Sequence, residues 1–196
     1  MAVYHGKAAS VYYWNGTSTA HTDENCTEST NTAQITDTTK QILDPNETQT
    51  FTDTGLETVT RIDYTIGKAY FTGNVTIVTA TGKHCLAANI TVVVQAYEWS
   101  LESSLELVDV TDFGDTYKAN EAGMMSWTGS ISTYFYNSNW KDYMDTTKIW
   151  FCKFFIDGTH GYKGWCYISG LSQSASVNEV VKENVTVTGW HELTYF

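Results

Sequence analysis

Proline and cysteine are both scarce in this chain of 196 residues. The single proline and the lack of any low-complexity tract leave no sign of a flexible linker. The four cysteines, at positions 26, 85, 152 and 166, are too few for a disulfide scaffold and lack a Cys-x-x-Cys spacing. We expect them to be structural. This includes the pair His84-Cys85, because it lacks the ligand spacing of a metal site.

Positive charge is also in short supply. The chain has 11 Lys and Arg against 22 Asp and Glu, which gives a net charge of −11 and a pI near 4.7. Proteins that read DNA neutralise its phosphates with Lys and Arg, so this balance disfavours a DNA-reading role. It suits a surface that must slide past a polyanion.

Long apolar segments are missing as well. No window approaches the roughly 18 apolar residues of a membrane span. The first ten residues lack the apolar segment of a secretory signal. We therefore expect no membrane contact and synthesis in a cytoplasm.

Catalytic motifs are the last absence. The chain has no glycine-rich phosphate loop, no His-Glu-x-x-His and no Gly-x-Ser-x-Gly. Asp109, Asp112 and Asp115 lie three residues apart but lack the register of an EF-hand loop, so a solvated acidic loop is favoured over a metal site. We expect a non-enzymatic protein that needs no cofactor and no metal.

What the chain has in quantity is β-forming residues, with 31 Thr, 13 Tyr and 7 Trp. Short alternating stretches bounded by turn signals such as Asn15-Gly16 predict a mainly β fold. A composition shift near residues 83–88 divides the chain into a β-rich N-terminal region, 1–88, and a second unit, 89–196. Within the first, residues 17–39 are polar and weakly patterned, which predicts a surface loop with a short strand at 33–35.

The C-terminal part contains two aromatic strands and one helix. Strands at 148–156 and 162–168 form a hairpin centred on Thr159, which would place Cys152 opposite Cys166 as two packed, reduced thiols. Residues 138–145 form the helix, capped by Asn137 or Ser138. The side chains expected to pack on its one apolar face are Trp140, Tyr143 and Met144.

Residues 89–133 contain the segments on which the functional interpretation depends. Residues 89–99 are a nearly unbroken apolar and β-branched run, typical of a strand buried on both faces. Residues 111–125 are acidic and punctuated by glycine, which predicts a long loop that we interpret as functional. Its candidate site residues are Thr111, Asp112, Phe113, Gly114, Asp115, Tyr117, Lys118, Glu121, Met124 and Met125.

Several motifs in this half resemble the major tail tube proteins of long-tailed, siphovirus-like bacteriophages and archaeal tailed viruses. The N-terminal region adds a looser resemblance at Ile62-Asp-Tyr-Thr-Ile-Gly-Lys-Ala-Tyr-Phe. The motifs of residues 89–190 are, in order, Glu98-Trp-Ser-Leu, Asp109-Val-Thr-Asp-Phe-Gly-Asp, Trp127-Thr-Gly-Ser, Tyr162-Lys-Gly-Trp-Cys-Tyr-Ile-Ser, Ser174-Ala-Ser-Val and Asn184-Val-Thr-Val-Thr-Gly.

The resemblance implies a β-sandwich with one flanking helix and a long loop that reaches the next ring, with residues 111–125 at the matching position. It implies hexameric rings stacked into a tube, with a lumen for the transient, non-specific passage of DNA. The implied partners are further copies of the chain, a tape measure protein and a tail terminator. The implied location is the virion tail, after assembly in the host cytoplasm.

Two other functions stay open. The tube protein of a contractile tail or secretion machine would share this architecture. A secreted carbohydrate-binding β-sandwich is suggested by the aromatic residues and by six Asn-x-Ser/Thr sequons, although no signal segment accompanies them. The residues that would face a lumen also stay open, because a register error of one residue exchanges the two faces of a strand.

Overall fold

The structure, a computed structural model, describes residues 10–93, 96–112, 117–118, 120–135, 139–146 and 148–196. It is mainly β with one short helix, α1 (Asn139–Asp145), which confirms the predicted fold class. Short 3-10 turns lie at Thr38–Lys40 and Ala87–Asn89. The strands are β1 (Ser10–Trp14), β2 (Thr19–Ser29), β3 (Thr32–Ile35), β4 (Thr50–Asp53), β5 (Val59–Asp63), β6 (Lys68–Phe71), β7 (Val78–His84), β8 (Ile90–Val92), β9 (Ala96–Asp109), β10 (Asn120–Tyr134), β11 (Trp150–Phe155), β12 (Gly161–Ser174), β13 (Lys182–Gly189) and β14 (Thr194–Tyr195).

The larger sheet has eight antiparallel strands in the order β8-β1-β11-β12-β13-β10-β9, with β14 added to β12. This sheet is rolled, because the ring of Trp99 on edge strand β9 lies 5.5 Å from that of Phe154 on β11, although three strands separate them. Alternation explains which side faces inward. In β13, Val185 and Val187 are fully buried while the residues between them are exposed.

Trp127 of β10 packs into the roll at a point where two glycines leave room for it. A Cβ at Gly164 would lie 2.8 Å from Trp127 Cζ2, and a Cβ at Gly189 would overlap the indole ring. The indole Nε1 donates a hydrogen bond to the His191 carbonyl oxygen at 2.6 Å. The Trp127 ring therefore fills the space that the two glycines leave open.

The smaller sheet has six strands in the order β4-β7-β2-β3-β6-β5, all drawn from residues 19–84. Alternating positions of its strands point into a second apolar core. The buried side chains of this core are Cys26, Ala33, Ile35, Leu43, Phe51, Ala69, Phe71, Val78 and Ala80.

Strand β2 is a correction to the prediction of a loop over residues 17–39, whereas the strand predicted at 33–35 is confirmed by β3. In β2 only His21 and Cys26 are buried. A register shift between His21 and Glu24, with Asp23 at a φ of 49°, interrupts the period of two. Because β2 buries only two side chains, its sequence lacks the alternation of apolar and polar residues from which a strand is predicted.

Two histidines meet inside the smaller sheet. His21 and His84 are both buried, and their Nδ1 atoms lie 3.3 Å apart. Burial lowers the pKa of both imidazoles, and the neighbouring His84 lowers that of His21 further. The charged groups around the pair are Glu24, Asp37 and Lys40.

The two sheets are joined by direct contacts. Asn46 accepts a hydrogen bond from the Ile149 amide and donates one to the Ile149 carbonyl, both at 3.0 Å. The ring of Tyr64 lies 5.3 Å from that of Trp190. The predicted unit 1–88 differs from the smaller sheet at its start, because β1 pairs with β8 and β11 in the larger sheet.

The β11–β12 hairpin has a register that differs by two residues from the predicted one. The predicted centre was Thr159, but Phe154 pairs with Tyr162, so the turn is centred on Gly158, which adopts a φ of 82°. Cys152 therefore pairs with Gly164 and lies diagonal to Cys166. The two sulfur atoms are 3.6 Å apart, and all four cysteines are free thiols.

Two further expectations concern residues 89–99 and the helix. The buried strand expected over 89–99 is wrong, since β8 and β9 are the two edges of the larger sheet and Val92 and Tyr97 are exposed. The predicted helix is present as α1, with Trp140 buried and Tyr143 and Met144 packed against the same core. Its proposed caps, Asn137 and Ser138, lie outside the described residues.

Replacing Gly189 with Ala should lower the free energy of unfolding by about 1–3 kcal/mol, because the new methyl group overlaps Trp127. Urea unfolding monitored by tryptophan fluorescence measures this. The matched control is Gly170→Ala in the same strand pair, where the nearest atom lies 3.3 Å away and belongs to the Thr186 side chain. Equal losses in the two variants would contradict the packing described for Trp127.

The buried histidine pair predicts a specific pH dependence. Because the folded pKa of each imidazole is lowered, the unfolded chain binds more protons once the pH falls below about 6.5. The free energy of unfolding should therefore fall between pH 7 and pH 5, above the range in which carboxylates titrate.

This pH dependence should weaken in the double variant His21→Gln/His84→Gln and persist in His191→Gln, which alters an exposed imidazole. Urea unfolding at each pH gives the slope. A wild-type stability that stays flat from pH 7 to pH 5 would contradict the burial of a neutral pair.

Candidate functional site

The end of the β9–β10 hairpin projects beyond the larger sheet. Strand β13 pairs only with residues 128–134 of β10, whereas β9 continues to pair with β10 as far as Asn120. We call residues 103–109 and 120–127 the arm. Apart from Trp127 at its base, every residue of the arm is exposed. A two-stranded ribbon of this kind is only marginally stable in water by itself.

The arm corrects the predicted loop over residues 111–125. Glu121, Met124 and Met125 lie on strand β10, and of the predicted loop residues only Thr111, Asp112, Tyr117 and Lys118 are described between the two strands. Phe113, Gly114 and Asp115, also assigned to the loop, lie outside the described residues.

Gly123 is one of the residues that favour a loop in the sequence, but in the structure it lies where two strands pack against each other. A Cβ at Gly123 would lie 3.2 Å from Glu106 Cβ on β9. The glycine stands at a register shift between Ala122 and Met125, where the two strands approach closely.

Asp109 organises the end of β9. Its Oδ1 accepts hydrogen bonds from the Thr111 amide at 3.1 Å and the Thr111 hydroxyl at 2.5 Å. Its Oδ2 lies 3.1 Å from Lys118 Nζ. These hydrogen bonds to Thr111, followed by that to Lys118, lower the pKa of the Asp109 carboxyl. The Asp109 and Lys118 side chains are both exposed, so their ion pair contributes little to the stability of the fold.

The arm exposes several large apolar side chains. Met124 and Met125 are 78% and 77% exposed, and Leu107 is 62% exposed. Leu105 and Leu107 lie on the same side as Met125, in direct continuation of the side that carries Trp127. Adjacent exposed apolar groups on a projecting element are typical of an interaction surface.

From Glu98 to Glu106, the opposite side of the same strands is polar. Rows of residues run across β9, β10 and β13, such as Glu102, Thr128 and Thr188. The Ser100 and Ser130 hydroxyls are 2.8 Å apart, and those of Ser104 and Ser126 are 2.9 Å apart. We call this the polar face. Its members are Glu98, Ser100, Glu102, Ser104, Glu106, Ser126, Thr128, Ser130, Ser132, Asn184, Thr186 and Thr188.

Strand β9 is also an edge strand, with β10 on one side and no strand of the described residues on the other. Its 14 residues present a long row of backbone groups that can pair with another chain. The prediction of a buried strand at 89–99 missed this edge. The signal that could have revealed the polar face is the strict alternation of Glu98, Ser100, Glu102, Ser104 and Glu106.

A groove of about 600 Å³ lies at the base of the arm. Its apolar lining residues are Met125, Trp127, Tyr162, Trp190 and Leu193. Arg61 of the smaller sheet closes one end, 3.8 Å from a Glu192 carboxylate oxygen. The groove therefore joins the apolar side of the arm to the junction of the two sheets.

Within the described ranges, no three or more His, Cys, Asp or Glu side chains are grouped so that they could hold a metal ion. In the same part of the chain, no helix combines the length and the apolar character that crossing a bilayer requires.

No protein-family model and no curated protein sequence matches the chain. In structure it is similar to a chain from the virion of a native gene transfer agent particle, with 14% identity, a TM-score of 0.49, and coverage of 57% of this chain and 92% of that one. It is also similar to a chain from the tail of an empty gene transfer agent particle, refined with C6 symmetry, with 14% identity, a TM-score of 0.49, and coverage of 56% and 88%. At this identity and TM-score, neither match carries an assignment of family or function.

Proposed function

We propose that this chain is a structural subunit of a viral tail tube, in which rings of identical copies stack around a lumen for DNA. The observation that carries the proposal is the β9–β10 hairpin, which combines a free edge of 14 residues with an arm exposed on both sides. The tail-tube motifs within residues 89–190 support it.

Lateral contacts follow from the free edge. An unpaired strand of this length invites uncontrolled pairing unless something covers it. In a closed ring each copy covers the edge of its neighbour, so no β9 edge is left exposed. We propose six copies in each ring, as the resemblance implies.

The polar face is the side of the ring that we assign to the lumen. Its charged residues on β9 are Glu98, Glu102 and Glu106, and hydroxyl and amide side chains fill the positions beside them. Carboxylates repel phosphates and hydroxyls bind them weakly, so duplex DNA would not adhere. Lys182 lies on the same side of β13, one row past Glu98 and Asn184, at the end of the strand.

The smaller sheet is assigned to the outside of the tube. It contacts the larger sheet at Ile149, Trp190 and Thr194, none of which belongs to the polar face. In this arrangement the tape measure protein would occupy the lumen and a terminator protein would close the end of the tube. Assembly would take place in the host cytoplasm, and the product would be part of the virion tail.

Shortening the arm should separate ring formation from stacking. We would replace residues 105–125 with a short Gly/Ser turn between Ser104 and Ser126, whose hydroxyls are only 2.9 Å apart. The removed residues that the structure describes are exposed, so the fold should persist. The variant should form rings but no tubes by electron microscopy and mass photometry.

The control is Leu56→Ser, which removes a 91% exposed apolar side chain from the smaller sheet and should leave tubes intact. Wild-type protein that stays monomeric at every concentration would overturn the proposed function. If the shortened variant formed tubes of normal length, the arm would not be the element that makes the stacking contact. Glycan binding by a wild-type monomer would favour the carbohydrate-binding alternative.

Reversing the charge of the polar face should make the tube retain DNA. Lysine at Glu98, Glu102 and Glu106 should give tubes that hold duplex DNA at about 50 mM salt and release it near 200 mM. Filter binding of assembled tubes measures this. The matched control places lysine at Glu47, Glu57 and Asp142, which lie off the polar face and change the net charge equally. Equal DNA retention in both variants would contradict the assignment of the polar face to the lumen.

A further inference from the structure

Two lysines face each other across the β11–β12 hairpin. Lys153 of β11 pairs directly with Lys163 of β12, and both residues are half-buried. Like charges at directly opposed positions destabilise an antiparallel strand pair. The chain has 22 acidic and only 11 basic residues, so a lysine opposite another lysine is unexpected. Five other described cations each lie beside a carboxylate, namely Lys40, Arg61, Lys83, Lys118 and Lys141.

No carboxylate neutralises Lys153 and Lys163, which we call the lysine pair. Within the described residues, neither ammonium group forms an ion pair. Burial lowers the pKa of both lysines, and the neighbouring Lys163 lowers that of Lys153 further. Asp63 raises the pKa of Lys163, but its Oδ1 already accepts hydrogen bonds from the Thr65 amide at 2.9 Å and the Thr65 hydroxyl at 2.6 Å. The lysine pair is therefore a concentration of positive charge without a counter-ion from the described chain.

The residues beside the lysine pair add hydroxyl groups and no acidic group. Strand pairing places Tyr12 of β1, Lys153, Lys163 and Thr194 of β14 in one row, and all four are half-buried. The row therefore carries two ammonium groups with a hydroxyl at either end, and solutes can reach it. Lys153 Nζ lies 5.6 Å from the centre of the Phe196 ring, so part of its surroundings is apolar. Apolar surroundings strengthen the attraction between the ammonium groups and an anion, because they displace water.

An oxyanion with two negative charges fits this arrangement. The Cβ atoms of directly opposed residues lie about 4.5–5.5 Å apart, so one ion can contact both ammonium groups. Hydrogen bonds from lysine to phosphate oxygens are among the stronger ones, because both partners are charged. Chloride or a single carboxylate would offset one charge of the lysine pair. A phosphate group, which carries about −1.5 to −2 near pH 7, would offset both.

The row lies away from the polar face. The hydroxyls of Thr194 and Thr65 are 3.3 Å apart, which places the row beside the junction of the two sheets. None of its four residues belongs to the polar face. In the proposed tube, DNA in the lumen would therefore not supply the phosphate.

We infer that Lys153 and Lys163 form a binding site for a doubly charged oxyanion of the phosphate class, beside the junction of the two sheets. This function goes beyond the tube and does not require it, since the site lies within one copy of the chain. The two ammonium groups bind the anion, and the anion offsets the repulsion between β11 and β12. Binding should therefore stabilise the folded chain.

Thermal unfolding in phosphate and in chloride tests this. At pH 7.5 and equal ionic strength, inorganic phosphate at about 20 mM should raise the unfolding midpoint of the wild type by roughly 2–4 °C over chloride. Lys153→Met and Lys163→Met each remove one cation and should lose this gain, while their stability in chloride should equal or exceed that of the wild type. A second series with glycerol 3-phosphate distinguishes a free ion from the phosphate monoester of a larger molecule.

The matched control is Lys68→Met, which alters a half-buried lysine of the smaller sheet that contacts the Tyr70 ring and forms no ion pair with the described residues. It should keep the full gain, because the general exclusion of phosphate from protein surfaces acts on every variant alike. An equal gain in the wild type and every variant would refute the site.

Phosphorus-31 NMR of the wild type measures binding directly and needs no variant. The resonance of inorganic phosphate should broaden as protein is added, and excess sulfate, a competing dianion, should reverse the broadening. A resonance that stays sharp would refute the site even if the methionine variants fail to fold. Neither measurement depends on whether the chain forms rings or tubes, so failure of the site leaves the proposed function intact.

Discussion

The packing of Trp127 against Gly164 and Gly189 is the contact on which the larger sheet depends. The Trp127 ring lies over the adjacent strands β13 and β12, where Gly189 and Gly164 present no side chain to it. This lets the sheet roll until Trp99 on β9 meets Phe154 on β11. Rolling encloses the apolar side of the strands and turns their other side outward. The polar face and the free edge of β9 are both consequences of that curvature.

The same curvature leaves the arm outside the enclosed core. The enclosed side ends near Trp127, but β9 and β10 continue past it as a ribbon, and no third strand of the described residues covers its apolar side chains. A ribbon of two strands gains little stability from its own hydrogen bonds, and burial against another molecule would add to it. The proposed assembly through this element would account for its length, its exposed methionines and its free edge together.

The sequence predicted well wherever apolar and polar residues alternate with a period of two. Strand β13 follows that rule, and the helix with Trp140, Tyr143 and Met144 follows the helical period. Strand β11 was predicted from its run of aromatic residues instead. Strand β2 escaped prediction because it buries only two side chains. The predicted register of the β11–β12 hairpin was wrong because the turn is centred on Gly158, which adopts a positive φ. Asp157 stabilises this turn by accepting hydrogen bonds from the amides of Thr159 and His160.

Residues 120–125 of the arm were mistaken for part of a loop for a related reason. Glycine and exposed acidic residues are common in loops, but in an unsupported ribbon the same residues occupy strand positions. No element of the described chain packs against this ribbon, so its residues do not show the apolar and polar alternation of a half-buried strand. The polar face could be read from the alternation in β9, whereas its curvature depends on contacts between residues far apart in sequence, such as Trp127 and Gly189.

Electron cryomicroscopy of the wild-type assembly tests the central claim most directly. A three-dimensional reconstruction should show stacked six-membered rings, with Glu98, Glu102 and Glu106 facing the lumen and the smaller sheet at the outer radius. A reconstruction with the polar face buried between copies, or with the smaller sheet lining the lumen, would contradict the account.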